Sequence, residues 1–550
     1  MKKLAAVLLI IGWAAVVFAD EEKPLTTRIT SLGLFKNGLA VVQRTAKIER
    51  AGTYRVEDVP EPIHGTFWVE SDASVSTRVT QRTVEVPLDK AMPGNIQEDL
   101  AGRDVVIHFA EQGIGPAEGT VLAIDPPHGS AAWNRRYEQP NYYYGYGAWD
   151  RYSGGNPVGS ASSARFLLLK TKDGQSYIDS SKIAYLEAKG KSAAVRQRKA
   201  VLLFTVGELK QKNAMLSISY LAKGMAWAPS YRVDISDPKE LLIRQSAVVK
   251  NELEPFADAQ LRLISGFPSV QFGHVISPLS PDTTWANFFQ QLNQRIAEGR
   301  GSMITQQVVA SNSVEPNRGL DLNAIPTGEG VDLYYQDINQ QTLDEGDSLA
   351  VETASGKAIY DRIVEWIIPD TRQANGRYID ESQRQNEPDK YQDAVWDAVR
   401  FRNPFGFPMT TAPAMFVADG KFNGQQMSYW VNSGEETTLH ITKALSVRTR
   451  SVEQEVDNAR DLIYIAGEPF RKITLEGTIL ANNHRNEQIA LVIRRRFSGE
   501  LASADKDPKI SLLEEGAGYI NKRNQLTWSS TLKPGEEVKL VYRYTLLVRQ

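Results

Sequence analysis

After Thr27 the apolar residues of this chain recur at every second position, in stretches such as "RKITLEGTILANN" and "LVYRYTLLV", with little helical pattern between them. A period of two puts alternate side chains on opposite faces of an extended backbone, so each stretch has one face to bury against another layer. The pattern predicts a mainly β protein. Asn37-Gly38 in "ITSLGLFKNGLAVVQRTAKI" is the pair that most readily takes the positive φ angles of a type I′ turn, and a hairpin is expected there. At 550 residues the chain exceeds what one hydrophobic core organises, so several sheet-built domains are expected.

Composition shifts and turn residues divide the chain. Residues 27–90 read as an N-terminal β domain. Residues 95–190 carry four short strands at the spacing of a small SH3-like barrel, interrupted by a Gly-, Ser- and Tyr-rich insertion at 126–164. The stretches 198–271 and 331–435 read as one central β domain, with a helix and a polar linker at 284–330 between them. In "TWANFFQQLNQRIAEG" Thr284 can cap a helix on which Phe288, Leu292 and Ile296 recur at helical spacing. Residues 436–550 hold three long alternating runs, the pattern of an immunoglobulin-like antiparallel β-sandwich. Alternation through "LVYRYTLLV" is expected to bury one face and leave Tyr542 and Tyr544 on the other. The expected fold class is therefore mainly β and multi-domain: antiparallel β-sandwiches, a small SH3-like barrel and few helices.

The N-terminus sets the compartment. Lys2 and Lys3 precede an apolar stretch from Leu4 to Phe18, and Val17-Phe18-Ala19 suits a signal peptidase. Residues 1–19 read as a secretory signal cleaved after Ala19, because the apolar stretch is shorter than the roughly 20 residues that span a bilayer. No later segment is apolar enough to span, so a mature chain without a transmembrane helix is expected in the periplasm or outside the cell. The chain contains no cysteine, which excludes disulfides, a cysteine-linked lipid and thiolate chemistry. A net charge of -3 leaves no electrostatic footprint for nucleic acid.

Local signatures of catalysis are missing. The six histidines, His64, His108, His128, His274, His440 and His484, are far apart in sequence and form no zinc spacing. No G-x-S-x-G elbow, Walker loop or dinucleotide fingerprint occurs, and no cofactor or metal is expected. The acidic pairs Asp344-Glu345 and Glu435-Glu436 adjoin glycines and read as solvated turns. Arg494 to Arg496 fall within a strand pattern and read as charges that blunt a sheet edge, with Glu487 nearby. The feature with most binding character is the insertion, with Trp133, Tyr137, Tyr142, Tyr143, Tyr144, Tyr146, Trp149 and Tyr152. Exposed aromatics stack on sugar faces and proline rings, although such a loop can also fold over its own barrel.

The stretch "SISYLAKGMAWAPSYRVDI", followed by "LLIRQSAVVKNELEPFADAQLRLISGFPSV", resembles the bacterial domain of unknown function 4139 of mucoidy-inhibitor-like proteins. The resemblance runs through Trp227, Pro229, Tyr231, Asn251, Asp258, Leu261, Leu263, Ser265 and Pro268. It continues in "NPFGFPMTTAPAMF", "GQQMSYWVNSGEET" and "LTWSSTLKPGEEVKLVYRY" and covers most of the mature chain. Many relatives carry a long coiled coil after their N-terminal β unit; this chain has the barrel-like unit instead. The resemblance implies no catalytic residues. Proline lacks a ladder donor, so Pro229 is expected at a strand edge, bulge or start, with Trp227 and Tyr231 packing around it on one face. The functional expectation is an exported envelope protein that binds an envelope protein or polysaccharide without catalysing a reaction. Its rival is an envelope hydrolase whose active site assembles from distant strands.

Overall fold

The computed structural model describes residues 22–87, 96–122, 166–189, 194–210, 213–293, 333–387, 391–513 and 520–549, apart from positions 112, 267 and 269. The signal-like segment 1–19, the aromatic insertion with all eight of its named residues, and Ile296 lie outside this set. The chain is mainly β, with strands built into several sheets; among the described residues there are three short α-helices, the longest being Trp285–Asn293. Among the described residues, no helix is long and apolar enough to cross a membrane.

Two compact units divide the chain, and each is built around its own sheets. The first comprises residues up to 28, then 44–219 and 275–293. A four-stranded sheet there is dominated by the ladder of Ala194–Val206 with Val75–Pro87, which runs unbroken from Ala194 opposite Pro87 to Val206 opposite Val75. A five-stranded sheet follows the order Gly174–Asp179, Phe166–Thr171, Ala117–Val121, Asp104–Phe109, Ile183–Ala188. Every pairing in it is antiparallel. Val105, Ile107, Val121, Leu167, Leu169 and Ile178 form its small core. Gln97 is buried beside that sheet, where its amide donates to Leu122 O and accepts from Leu168 N.

The second unit comprises residues 29–43, 220–274 and 294–550. Its organising element is the 21-residue strand Ser348–Ile368. The first half of that strand pairs with Glu240–Asn251; the second half pairs with Ala394–Arg402 on one side and runs parallel to Ile489–Ser498 on the other. One strand thereby serves two cores. Tyr231, Val233, Leu241, Ile243, Tyr360, Val399, Phe401, Phe416, Leu439 and Ile441 belong to the first. In the second, Trp366, Leu491, Ile493, Leu526 and Trp528 face Ile473, Leu475, Leu540, Tyr542, Tyr544 and Leu546 from a four-stranded sheet. That second core is the filling of a β-sandwich. Several pairings are parallel, including Met225–Asp234 with Ala412–Ala418, so the sheets are mixed and not purely antiparallel.

Three expectations change. The hairpin at Asn37-Gly38 forms, but the loop between Phe35 and Leu39 has three residues, with Phe35 N donating to Leu39 O at 2.9 Å. Gly38 alone takes a positive φ, 85°, and Asn37 Oδ1 instead accepts from Leu39 N, so the turn is not type I′. Tyr542 and Tyr544 are buried, because the even positions 538 to 546 face the sandwich core. Their rings supply the apolar area there while the Tyr542 hydroxyl finds Glu453. The Arg494–Arg496 segment lies in a central strand, between Ser348–Ile368 and Arg523–Leu532, and not at an edge.

Candidate functional site

The strand Met225–Asp234 buries Met225, Trp227, Pro229, Tyr231 and Val233 on one face. Pro229 is opposite Ala247 of Glu240–Asn251; on the strand's other side, pairing with Ala412–Ala418 begins only at Tyr231. The proline therefore occupies the stretch where one flank has no ladder partner. Trp227 Nε1 donates to Ile264 O at 3.2 Å, and the Tyr231 hydroxyl donates to Thr410 O at 3.1 Å. Both aromatics are thus satisfied, buried members of the core, with burial pushing the Tyr231 phenol well up. Thr410 leads to a third partner. Lys36, at the start of the first hairpin loop, donates from Nζ to Thr410 Oγ1 at 3.1 Å and to Thr411 O at 2.6 Å.

A second cluster assembles on four adjacent strands. Glu365 is buried, accepting from Arg494 Nε at 2.7 Å and lying 2.7 Å from His440 Nε2. Trp396 stacks on the imidazole, with ring centroids 5.1 Å apart and planes 3° from parallel, and Lys443 lies over the indole. Burial by itself would raise the Glu365 carboxyl. The hydrogen bond from His440 and the Arg494 charge outweigh it and hold the group at about 2. Chemically this is an imidazole held in place by a carboxylate, the arrangement that prepares a histidine for proton transfer. Among the described residues no partner is recorded for His440 Nδ1.

A third cluster lies inside the sandwich. Arg495 is fully buried, pairing with Glu453 at 2.5 Å, donating to the Tyr542 hydroxyl at 2.6 Å and also to the carbonyls of Pro369 and Arg496. Every donor direction of the guanidinium is used, so the group clamps two layers together. Arg523 with Asp370 and Arg485 with Asp397 are further ion pairs that hold strands to loops.

The aromatics that do face solvent are elsewhere. On the helix Trp285–Asn293, Thr284 Oγ1 accepts from Asn287 N at 3.2 Å as an N-cap, and Phe288 is buried edge-on to His64. Trp285 and Phe289 flank Phe288, with ring centroids 5.7 and 5.5 Å from it; they are 65% and 54% exposed and stack on each other at 5.6 Å. In the five-stranded sheet His108 stacks on the exposed Tyr185 at 4.3 Å. Among the described residues no group of three or more His, Cys, Asp or Glu side chains is placed to hold a metal ion.

The structure thus brings Tyr231 and Lys36 together at Thr410, a meeting of segments hundreds of residues apart, while Trp227 and Pro229 share the buried face of the Tyr231 strand. Sequence reasoning missed Lys36 and Glu365 and read Arg495 as an edge charge, since each gains its partners from a distant segment. A charged residue inside an alternating run, as in "VEWII" and "IRRRF", was the one available signal. No protein-family model matches the chain, and no curated protein matches it.

Proposed function

We propose that this chain is an exported bacterial envelope protein of the mucoidy-inhibitor-like type that binds an envelope protein or polysaccharide and catalyses no reaction. The observation that supports this reading most is the exposed, stacked pair Trp285 and Phe289 on a capped helix. Phe288 anchors the helix from beneath, so the pair presents a preformed apolar plane at little cost in side-chain entropy. Sugar faces and proline rings are the surfaces such a plane accepts. The aromatic insertion with Trp133 and Tyr142 is the companion contact on this reading. Its removal, residues 131 to 160, should leave thermal stability nearly unchanged while reducing retention of the partner. For the helix, the double variant W285A/F289A should melt within about 2 °C of the parent. It should lose retention of envelope material on an affinity column; undiminished retention would refute the assignment.

One observation favours the rival, an envelope hydrolase: the imidazole of His440 held by buried Glu365. If this pair moves protons, His440→Gln abolishes turnover of chromogenic ester and glycoside substrates by the purified chain. The binding reading predicts no turnover in either form.

A further inference from the structure

Lys36 opens the loop of the first hairpin, and the two hydrogen-bond acceptors of its Nζ, Thr410 Oγ1 and Thr411 O, are both neutral. Among the described residues no carboxylate pairs with it. Titratable side chains around the loop include Tyr231, which donates to Thr410 O, Lys223, whose neighbour Gly224 donates to Gly38 O, and Glu252, whose N donates to Gly224 O. The Glu252 carboxylate pairs with Lys250 and not with Lys36. Among the described residues Thr411 Oγ1, itself buried, has no hydrogen-bond partner, which leaves one polar group of the same dipeptide unused.

This surrounding suits a neutral amine. An uncharged amine has two N–H bonds and one lone pair; two acceptors use both donors, and the lone pair is left in the remaining tetrahedral direction. An ammonium in the same place has a third donor and a charge with no carboxylate bonded to it. Burial accordingly lowers the Lys36 amine to about 8. The side chain is only half-buried, so small reagents reach it.

We propose that Lys36 is a nucleophilic amine that condenses with carbonyl electrophiles, making the loop of the first hairpin an imine-forming site. The lone pair attacks the carbonyl carbon, the C=O π pair moves to oxygen, and one N–H proton follows it to give a carbinolamine. The second N–H proton leaves with that hydroxyl as water, and a C=N bond remains. No oxidant or reductant enters the step. The oxygen of the carbinolamine is the group that the unused Thr411 hydroxyl is suited to meet.

The test treats the full chain with formaldehyde and sodium cyanoborohydride, which traps imines as methylamines, and reads each lysine by peptide mass spectrometry. At pH 7.5 Lys36 should be methylated at about tenfold the rate of the exposed Lys172, since a larger free-amine fraction outweighs its weaker basicity. The Lys36 rate should rise with pH and level off above about pH 8, where its amine is already free. A Lys36 rate no greater than that of Lys172, or labelling only after denaturation, would overturn the proposal. K36R, which keeps a cation but forms no imine under these conditions, should remove the fast-reacting position and leave the other lysines unchanged.

Discussion

Glu365 shows how a single residue here takes its character from its neighbours. Its carboxyl is held at about 2 against an ordinary 4.5, so the stabilisation it gives is fully present above pH 4.5 and disappears as the pH falls through about 2. Replacing it with glutamine leaves Arg494 facing a neutral amide and should cost about 3 kcal/mol at neutral pH. The difference between parent and E365Q should shrink toward pH 2 in chemical denaturation. Lys36 is also lowered, so its slope with pH has the same sign, but its charged form costs stability at neutral pH where that of Glu365 adds it. Its folded amine loses its proton near pH 8, while the unfolded one holds it to about 10.5, so the parent gains stability between those values as the pH rises. K36M should abolish that rise. Arg495 was hidden from sequence reasoning for a physical reason: a guanidinium among apolar positions reads as a surface charge unless its counter-charge is known. Glu453 supplies it from 42 positions earlier in the chain. R495M should destabilise the fold by about 4 kcal/mol, because it strands Glu453 in the core. Adding E453Q should recover part of that loss.

At the scale of elements, legibility followed the range of the forces involved. The helix Trp285–Asn293 was readable because its cap at Thr284 and its buried Phe288 are local. The hairpin at Gly38 was readable in place but not in turn type, because Asn37 spends its side chain on Leu39 N and so stays out of the left-handed region. Alternation through residues 538 to 546 was evident, yet which face turns inward depended on the opposite sheet. Gly477 is what lets the tyrosine face turn inward. It lies opposite Tyr542, and a Cβ there would come 2.1 Å from the phenol ring. G477V should therefore cost about 2 kcal/mol through displacement of Tyr542, read as a lowered denaturation midpoint with an unchanged slope. Pro229 was placed correctly by its missing donor, since its strand has no ladder partner on one flank at that point.

For the molecule as a whole, the alternating pattern and the lack of cysteine left apolar cores as the means of holding each unit together; the second unit contains two large ones and the first unit smaller ones. In the second unit, Arg495, Arg494 and Arg485 are spent on ion pairs that tie strands and loops to one another. The broad planar surfaces open to solvent are aromatic, with Trp285 and Phe289 the most developed pair. Our account therefore assigns binding to the exposed aromatics and structural work to the buried charges. The most direct measurement runs three forms of the chain, parent, W285A/F289A and H440Q, over immobilised envelope polysaccharide and protein, with hydrolysis products assayed in the flow-through. The account predicts that the parent and H440Q are retained equally, that W285A/F289A passes through, and that no form releases product. Product formed by the parent and lost in H440Q, with W285A/F289A still retained, would contradict it.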